Sequence, residues 1–386
     1  MVLLVVSFGV AALLVTGGFV QDLYRQLGET IVRSQSGHLQ VAQEALFNSG
    51  SRSPEKHRIP DVAALKRELQ QLPGVEAVSA RLTFTGLLGN GARDAPVLGE
   101  GIEAEVEQRF MRSITLLAGT PLTPADTNGA WLGEGLARTL DARPGARLTL
   151  VASTVGGAMN TIDLEVRGVF RSFSRDYDAR ALKIGLIAAQ ELLATEDANT
   201  VVLLLGEDAE LARAVAAAGP SVTRRNLCTR TWEQLNDFYR NTVLLYDRQF
   251  AVLAAIILLM VALGVNNAVS MAVLERQGEF GTMRALGNTD RHVFLLVASE
   301  VAMMGVAGTV LGLAVGTLVS MLISTIGIDM PPPPNSNVGY VAGIRLVPGL
   351  FLQAAVVGVG ATFLAGLRPA HRVARTPIVT ALAQCR

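Results

Sequence analysis

Between Leu274 and His292 the chain reads LERQGEFGTMRALGNTDRH, a charged stretch set between two long apolar runs. It is too short to be a domain, so its chemistry is contact chemistry with a partner. Glu275, Arg276, Glu279 and Arg284 supply charge that would fix a register, and Phe280, Met283 and Leu286 recur at helical spacing as apolar knobs for a partner's groove. Gly281 and Gly287 allow close approach and a helix stop.

Bond-making chemistry finds no such set of residues. The sequence contains no G-x-x-x-x-G-K-[ST], H-E-x-x-H, C-x-x-C or G-x-S-x-G pattern. The four histidines, His38, His57, His292 and His371, are divided between the two sides of the membrane by the topology derived below, which leaves no shared metal or hydrolase centre. The chain therefore reads as a non-enzyme with no catalytic, cofactor-binding or metal-binding residues. Lys+Arg and Asp+Glu balance at 33 each, so no basic field argues for nucleic acid.

Four apolar runs must position the charged stretch. Residues 1–20, 250–273 and 347–367 carry no charge, and 293–326 carries only Glu300. Roughly 20 apolar residues in a helix cross a bilayer core, so the chain reads as an integral membrane protein with four transmembrane α-helices. The first run lacks a basic leader and a good cleavage site, which makes it an uncleaved anchor, and its abrupt start suggests a short cytoplasmic leader ahead of it.

Arg276, Arg284 and Arg291 follow the second span, and Arg368, Arg372, Arg375 and Arg386 follow the fourth, whereas the external loop 327–346 holds only Arg345. The positive-inside rule then puts the loop 274–292 and the tail 368–386 in the cytoplasm, and 21–249 outside. Cys228 and Cys385 fall on opposite sides, which excludes an intrachain disulfide and leaves Cys228 free or intermolecular.

Residues 21–249 are enough for an α+β extracytoplasmic domain inserted between the first and second spans. Asp22 to Ile31 and Trp232 to Tyr246 read as helical stalks continuing the flanking spans. Between them, helices are expected over Pro60 to Gln71, Trp131 to Leu140 and Glu207 to Ala218, the last ended by Gly219 and Pro220. Strands are expected over Val75 to Leu88, Arg147 to Ala152 and Asp163 to Phe173, with turns at Asn90-Gly91 and Pro144-Gly145. Two lobes would divide near Glu107 to Thr127.

The run Glu275 to Gly287, with Arg276, Glu279, Phe280, Gly281, Arg284, Ala285 and Leu286 in it, resembles the ER-x-x-E-[IF]-G-x-x-[RK]-A-[LI]-G signature of the FtsX-like permease family of ABC transporters. That family includes lipoprotein-releasing permeases and MacB-type exporters. Arg368 to Leu382 resembles its closing P-A-x-x-A-x-x-x-P-x-x-A-L, and Ser36 to Val41 and Leu132 to Ala137 resemble segments of its external domain.

The resemblance implies that the loop carries a coupling helix docking on a cytoplasmic ABC ATPase, with ATP and magnesium held on that separate chain. It also implies a second permease protomer, in a homodimer or heterodimer, and an inner membrane with the large domain in the periplasm.

Gly308, Gly312 and Gly316 give the third span a face of bare backbone for close helix packing, against the first or second span or a second protomer. Glu300, an intramembrane carboxylate, would snorkel to the surface or pair with an arginine of the loop, with substrate or proton handling as the alternative role. The third run would extend roughly 51 Å as a helix, so it tilts or continues past the bilayer, and Pro331 to Pro334 then impose an extended segment. With no polar path for a pore, the parts suit mechanotransmission. Lipoprotein release is the leading reading, beside tripartite efflux of peptides or small toxins through a periplasmic adaptor, control of cell-wall hydrolases, and a non-energised receptor or scaffold.

Overall fold

The computed structural model describes residues 1–48, 53–206, 210–332, 337 and 339–375. Glu207, Pro333 and Pro334, the closing motif beyond Arg375, Cys385 and Arg386 lie outside them.

The chain opens with helix α1 (Val2–Ile31), strand β1 (Leu39–Ala42), helices α2 (Glu44–Asn48) and α3 (Val62–Gln70), and strands β2 (Val75–Gly89) and β3 (Asp94–Ile102). Helix α4 (Ala104–Phe110), strands β4 (Thr115–Gly119) and β5 (Gly129–Gly133), helix α5 (Glu134–Thr139), and strands β6 (Arg147–Ser153) and β7 (Met159–Arg171) follow. Next come α6 (Arg175–Asp178), β8 (Ala181–Gly185), α7 (Leu186–Leu193), β9 (Thr200–Leu205), α8 (Leu211–Thr223), β10 (Cys228–Thr231) and α9 (Trp232–Leu235). The remainder is α10 (Asp237–Glu275), α11 (Gln277–Ala285), α12 (Asp290–Ile326), β11 (Ile328–Met330), β12 (Tyr340–Ala342) and α13 (Pro348–Ala374). Residues 26–240 and 331–340 form a mixed unit, and the rest a helical one.

In the helical unit, α1, α10, α12 and α13 are each long and apolar enough to cross a membrane. Small residues let them approach. A Cβ added at Gly308 would lie 2.9 Å from Val6 Cβ, one at Gly312 2.7 Å from the Ser7 carbonyl, and one at Gly316 3.1 Å from Ala11 Cα. The glycine stripe of α12 is thus filled by α1. Gly9 and Gly264 admit Val261 and Val5 at the α1–α10 crossing, and Gly305 and Gly366 bring α12 and α13 together through Thr362 and Val301. The valines Val2, Val6, Val10, Val261, Val265, Val269 and Val273 line the resulting core. The connection into α13 is pinned to α1: Gly343 N–H donates to Asp22 Oδ2 at 2.9 Å and Arg345 N–H to the Gly18 carbonyl at 3.0 Å.

The mixed unit is built around β2, whose 15 residues serve two parts of one ten-stranded sheet. Its first half pairs with β9 in the order β10-β1-β9-β2, and this open part of the sheet is covered by α3 and α8 through Leu65, Leu69, Ala218 and Val222. Its second half joins a closed ring, β2-β3-β8-β5-β7-β6, with β6 returning to β2. Leu82, Phe84, Leu88, Leu132, Leu150, Val166 and Leu182 fill the ring.

The expected lobe division near Glu107 to Thr127 is therefore wrong. The lobes meet within β2, near Arg81, because one strand is long enough to run through both parts of the sheet, and β9 and β10 return to the first lobe from far along the chain.

Three local expectations also change. Trp131 and Leu132 lie in a buried strand and the helix starts only at Glu134, because pairing with β7 and β8 overrides the helical pattern. Helix α8 runs through Gly219 and Pro220 to Thr223: proline gives up one backbone bond, and burial of Val222 beside Ala218 compensates. The second stalk breaks at Asn236, whose Oδ1 accepts from Tyr239 N–H at 3.0 Å and so starts α10 afresh.

Where the lobes meet, the core is ionic. Arg81 and Glu107 form a forked pair, with Nε to Oε1 at 2.6 Å and Nη2 to Oε2 at 2.8 Å, and their side chains are only 5% and 1% exposed. Ser79 Oγ donates to the same carboxylate at 2.8 Å. Fully buried Lys183 donates to Glu100; burial pushes that carboxyl up, but Lys183 and Arg81 outweigh burial and hold it below its ordinary value.

Candidate coupling site

The site is assembled by a chain reversal. Helix α10 ends at Glu275, and Arg276, with φ −104° and ψ 15°, breaks the helix and starts α11. At the other end Gly287 N–H donates to the Arg284 carbonyl and Asn288 N–H to the Met283 carbonyl, both at 3.1 Å. This closure needs the left-handed φ of +99° that glycine supplies at 287. Thr289 then caps α12, its side chain accepting from His292 N–H at 3.3 Å.

The nine residues of α11 have two faces. Phe280, 3% exposed, and Met283 pack into the valine core with Val273, Val293 and Val297, while Leu286 is 82% exposed. Of the three apolar knobs expected to face a partner, two are turned inward. The cause is hydrophobic: α10 and α12 leave an apolar gap at their ends, and an aromatic ring and a methionine gain more by filling it than by facing outward. Gly281 is buried with them, whereas Glu275, Glu279, Ala285 and Gly287 are exposed with Leu286. Leu274 is exposed as well, and of the exposed carboxylates Glu279 is paired with Arg276.

The arginines are engaged within the chain. Arg276 Nε donates to Glu279 at 2.9 Å, and its Nη1 donates to both oxygens of Glu300, at 3.0 and 3.1 Å. The guanidinium lies 5.4 Å from the centre of the Phe280 ring. Arg284, its side chain 16% exposed, pairs with Asp290 at 2.6 Å. Arg276 and Glu300 line a cleft of about 390 Å³ together with Val2, Ala272, Val301 and Met304. The partnership of Arg284 with Asp290 was missed in the sequence, although an acidic residue at the start of α12 beside a basic one ending α11 is a usable signal.

Residues 251–378 match the profile of the FtsX-like permease C-terminal region, and residues 1–220 that of the MacB-like periplasmic core domain. This chain belongs to the FtsX-like permease family. Two relatives of this FtsX-like ABC transporter permease align nearly end to end. The lipoprotein-releasing system transmembrane protein LolE of Haemophilus influenzae is 24% identical over 387 residues, 96% of this chain and 90% of that one. Its counterpart LolC of Neisseria meningitidis is 23% identical over 400 residues, 98% of this chain and 92% of that one. Among solved structures, the periplasmic region of MacB from Actinobacillus actinomycetemcomitans is similar, with 12% identity and a TM-score of 0.39, covering 52% of this chain and 92% of that one.

Proposed function

We propose that this permease transmits ATP-driven motion from a cytoplasmic ATPase through α11 into its membrane helices and on to the mixed unit, and that its cargo is a lipoprotein leaving the inner membrane. The carrying observation is the end-to-end similarity to LolE and LolC, proteins of the lipoprotein-releasing system. In this reading the mixed unit stands in the periplasm between the first and second spans, ATP and magnesium bind the partner ATPase, and this chain carries no cofactor. It works with a second permease protomer, identical or related. Support for the docking role is the exposed side of this stretch, where Glu275, Glu279 and Leu286 all face outward.

Affinity purification of the tagged chain from membranes in mild detergent, with mass spectrometry of what stays bound, tests the reading. A small ATPase with a second permease is the expected result, and Leu286→Asp should lower its recovery while leaving membrane insertion intact. An ATPase with a periplasmic adaptor would replace lipoprotein release with export. Absence of any ATPase would leave a receptor or scaffold.

A further inference from the structure

We propose that Arg276 is a positioning residue that ties the coupling helix to the third span, so that displacement of α11 is carried into α12 through one guanidinium. The proposal rests on the reading of α11 as the ATPase-docking element and names the contact through which its motion passes.

Arg276 is the junction residue between α10 and α11, and its side chain bridges two further positions: Glu279 on α11 and Glu300 on α12. Glu300 lies ten residues beyond Asp290, so the guanidinium grips α12 roughly 15 Å along its axis rather than at its end. A carboxylate inside an apolar segment is costly without a counter-charge, which gives the pair a strong reason to persist as the helices move. The apolar contacts of Phe280 and Met283 hold α11 against the same helices but have no direction, so they permit sliding. A cation bound to both oxygens of one carboxylate resists it. Arg276 is also only partly exposed, whereas the outward face of α11 is formed by Glu279, Ala285 and Leu286. Ala285 and Leu286 take no part in the Arg276 bridge, so docking through them and transmission through Arg276 and Glu300 can be separated by mutation.

The test uses the full-length chain, with its co-purified ATPase, reconstituted in lipid nanodiscs. Glu300→Gln, on α12, should leave ATPase recovery unchanged but lower ATP turnover per recovered ATPase by on the order of tenfold, the size of a typical coupling energy, and Arg276→Gln should lower turnover per recovered ATPase to the same extent. The charge swap R276E/E300R should restore most of it. Wild-type turnover in either single variant, or a swap no better than the singles, overturns the proposal. In parallel, hydrogen exchange of the α11 amides is followed in the isolated permease: both single variants should exchange faster and the swap should regain protection. If no ATPase co-purifies even with the unaltered chain, the docking reading fails, and the exchange measurement still decides whether Arg276 fixes α11. Unchanged exchange in Arg276→Gln would refute it.

Discussion

Replacing Glu107 with alanine strands the Arg81 guanidinium in the seam between the two lobes of the mixed unit. The pair is nearly inaccessible, at 5% and 1% exposure, and both oxygens of the carboxylate are used by Arg81. Burial alone would lower the pKa of the guanidinium, but Glu107 and Glu100 outweigh it and keep Arg81 firmly charged. Its bond to the Gln35 carbonyl offers no countercharge. Breaking such a pair from one side costs about 3–5 kcal/mol. In a domain of this size 1 kcal/mol shifts Tm by about 2–4 °C, so a fall of roughly 6–20 °C is expected. The double change Arg81→Met with Glu107→Leu removes both charges and should sit close to the unaltered protein. Intrinsic tryptophan fluorescence of the full chain in detergent is a selective probe, because both tryptophans, Trp131 and Trp232, belong to this unit. A loss below about 2 °C for Glu107→Ala, or a double variant as unstable as the single one, would refute the reasoning that unpaired buried charge is what costs stability here.

Gly312→Leu should wedge α12 away from α1, since even a Cβ there meets the Ser7 carbonyl at 2.7 Å and Val10 Cβ at 2.8 Å; overpacking of about 1–3 kcal/mol should appear as lower thermal stability, while Gly360→Ala, with nothing within 4 Å, should be neutral. Hydrogen bonding from Arg225 holds Glu68 down to about 2, so this pair stabilises the fold fully above the ordinary carboxylate range and loses its contribution as pH falls through roughly 4.5 to 2. The Tm difference between the unaltered chain and Arg225→Gln should accordingly be constant near neutrality and shrink on acidification over that window. Burial pushes the half-buried Cys228 thiol up, so alkylation by N-ethylmaleimide at pH 7 should be slower than that of a free thiol; equal rates would show that the site is open.

Much of the candidate site was legible from residue order. The helical spacing of the stretch marked a short helix, Gly287 marked its end, and the observed helix closes with Gly287 at positive φ. Its orientation was not legible: the pattern Phe280, Met283, Leu286 fits an outward apolar face as well as an inward one. Only the gap between α10 and α12 turns the first two inside. Likewise Glu300 invited an arginine, but the choice of Arg276 over Arg284 or Arg291 depends on where the α10–α11 break aims its side chain.

The sequence by itself determined the four membrane-length helices, the charged reversal and the family, because hydropathy over a bilayer's length and a contiguous motif are local properties of the chain. Tertiary structure alone decided that β2 runs through both parts of the sheet, that β6 closes a ring, that Arg81 meets Glu107, and that the glycine stripe of α12 receives α1. Each of these depends on pairings between distant segments. Backbone register and side-chain volume select them once the chain is folded, and residue order does not display them.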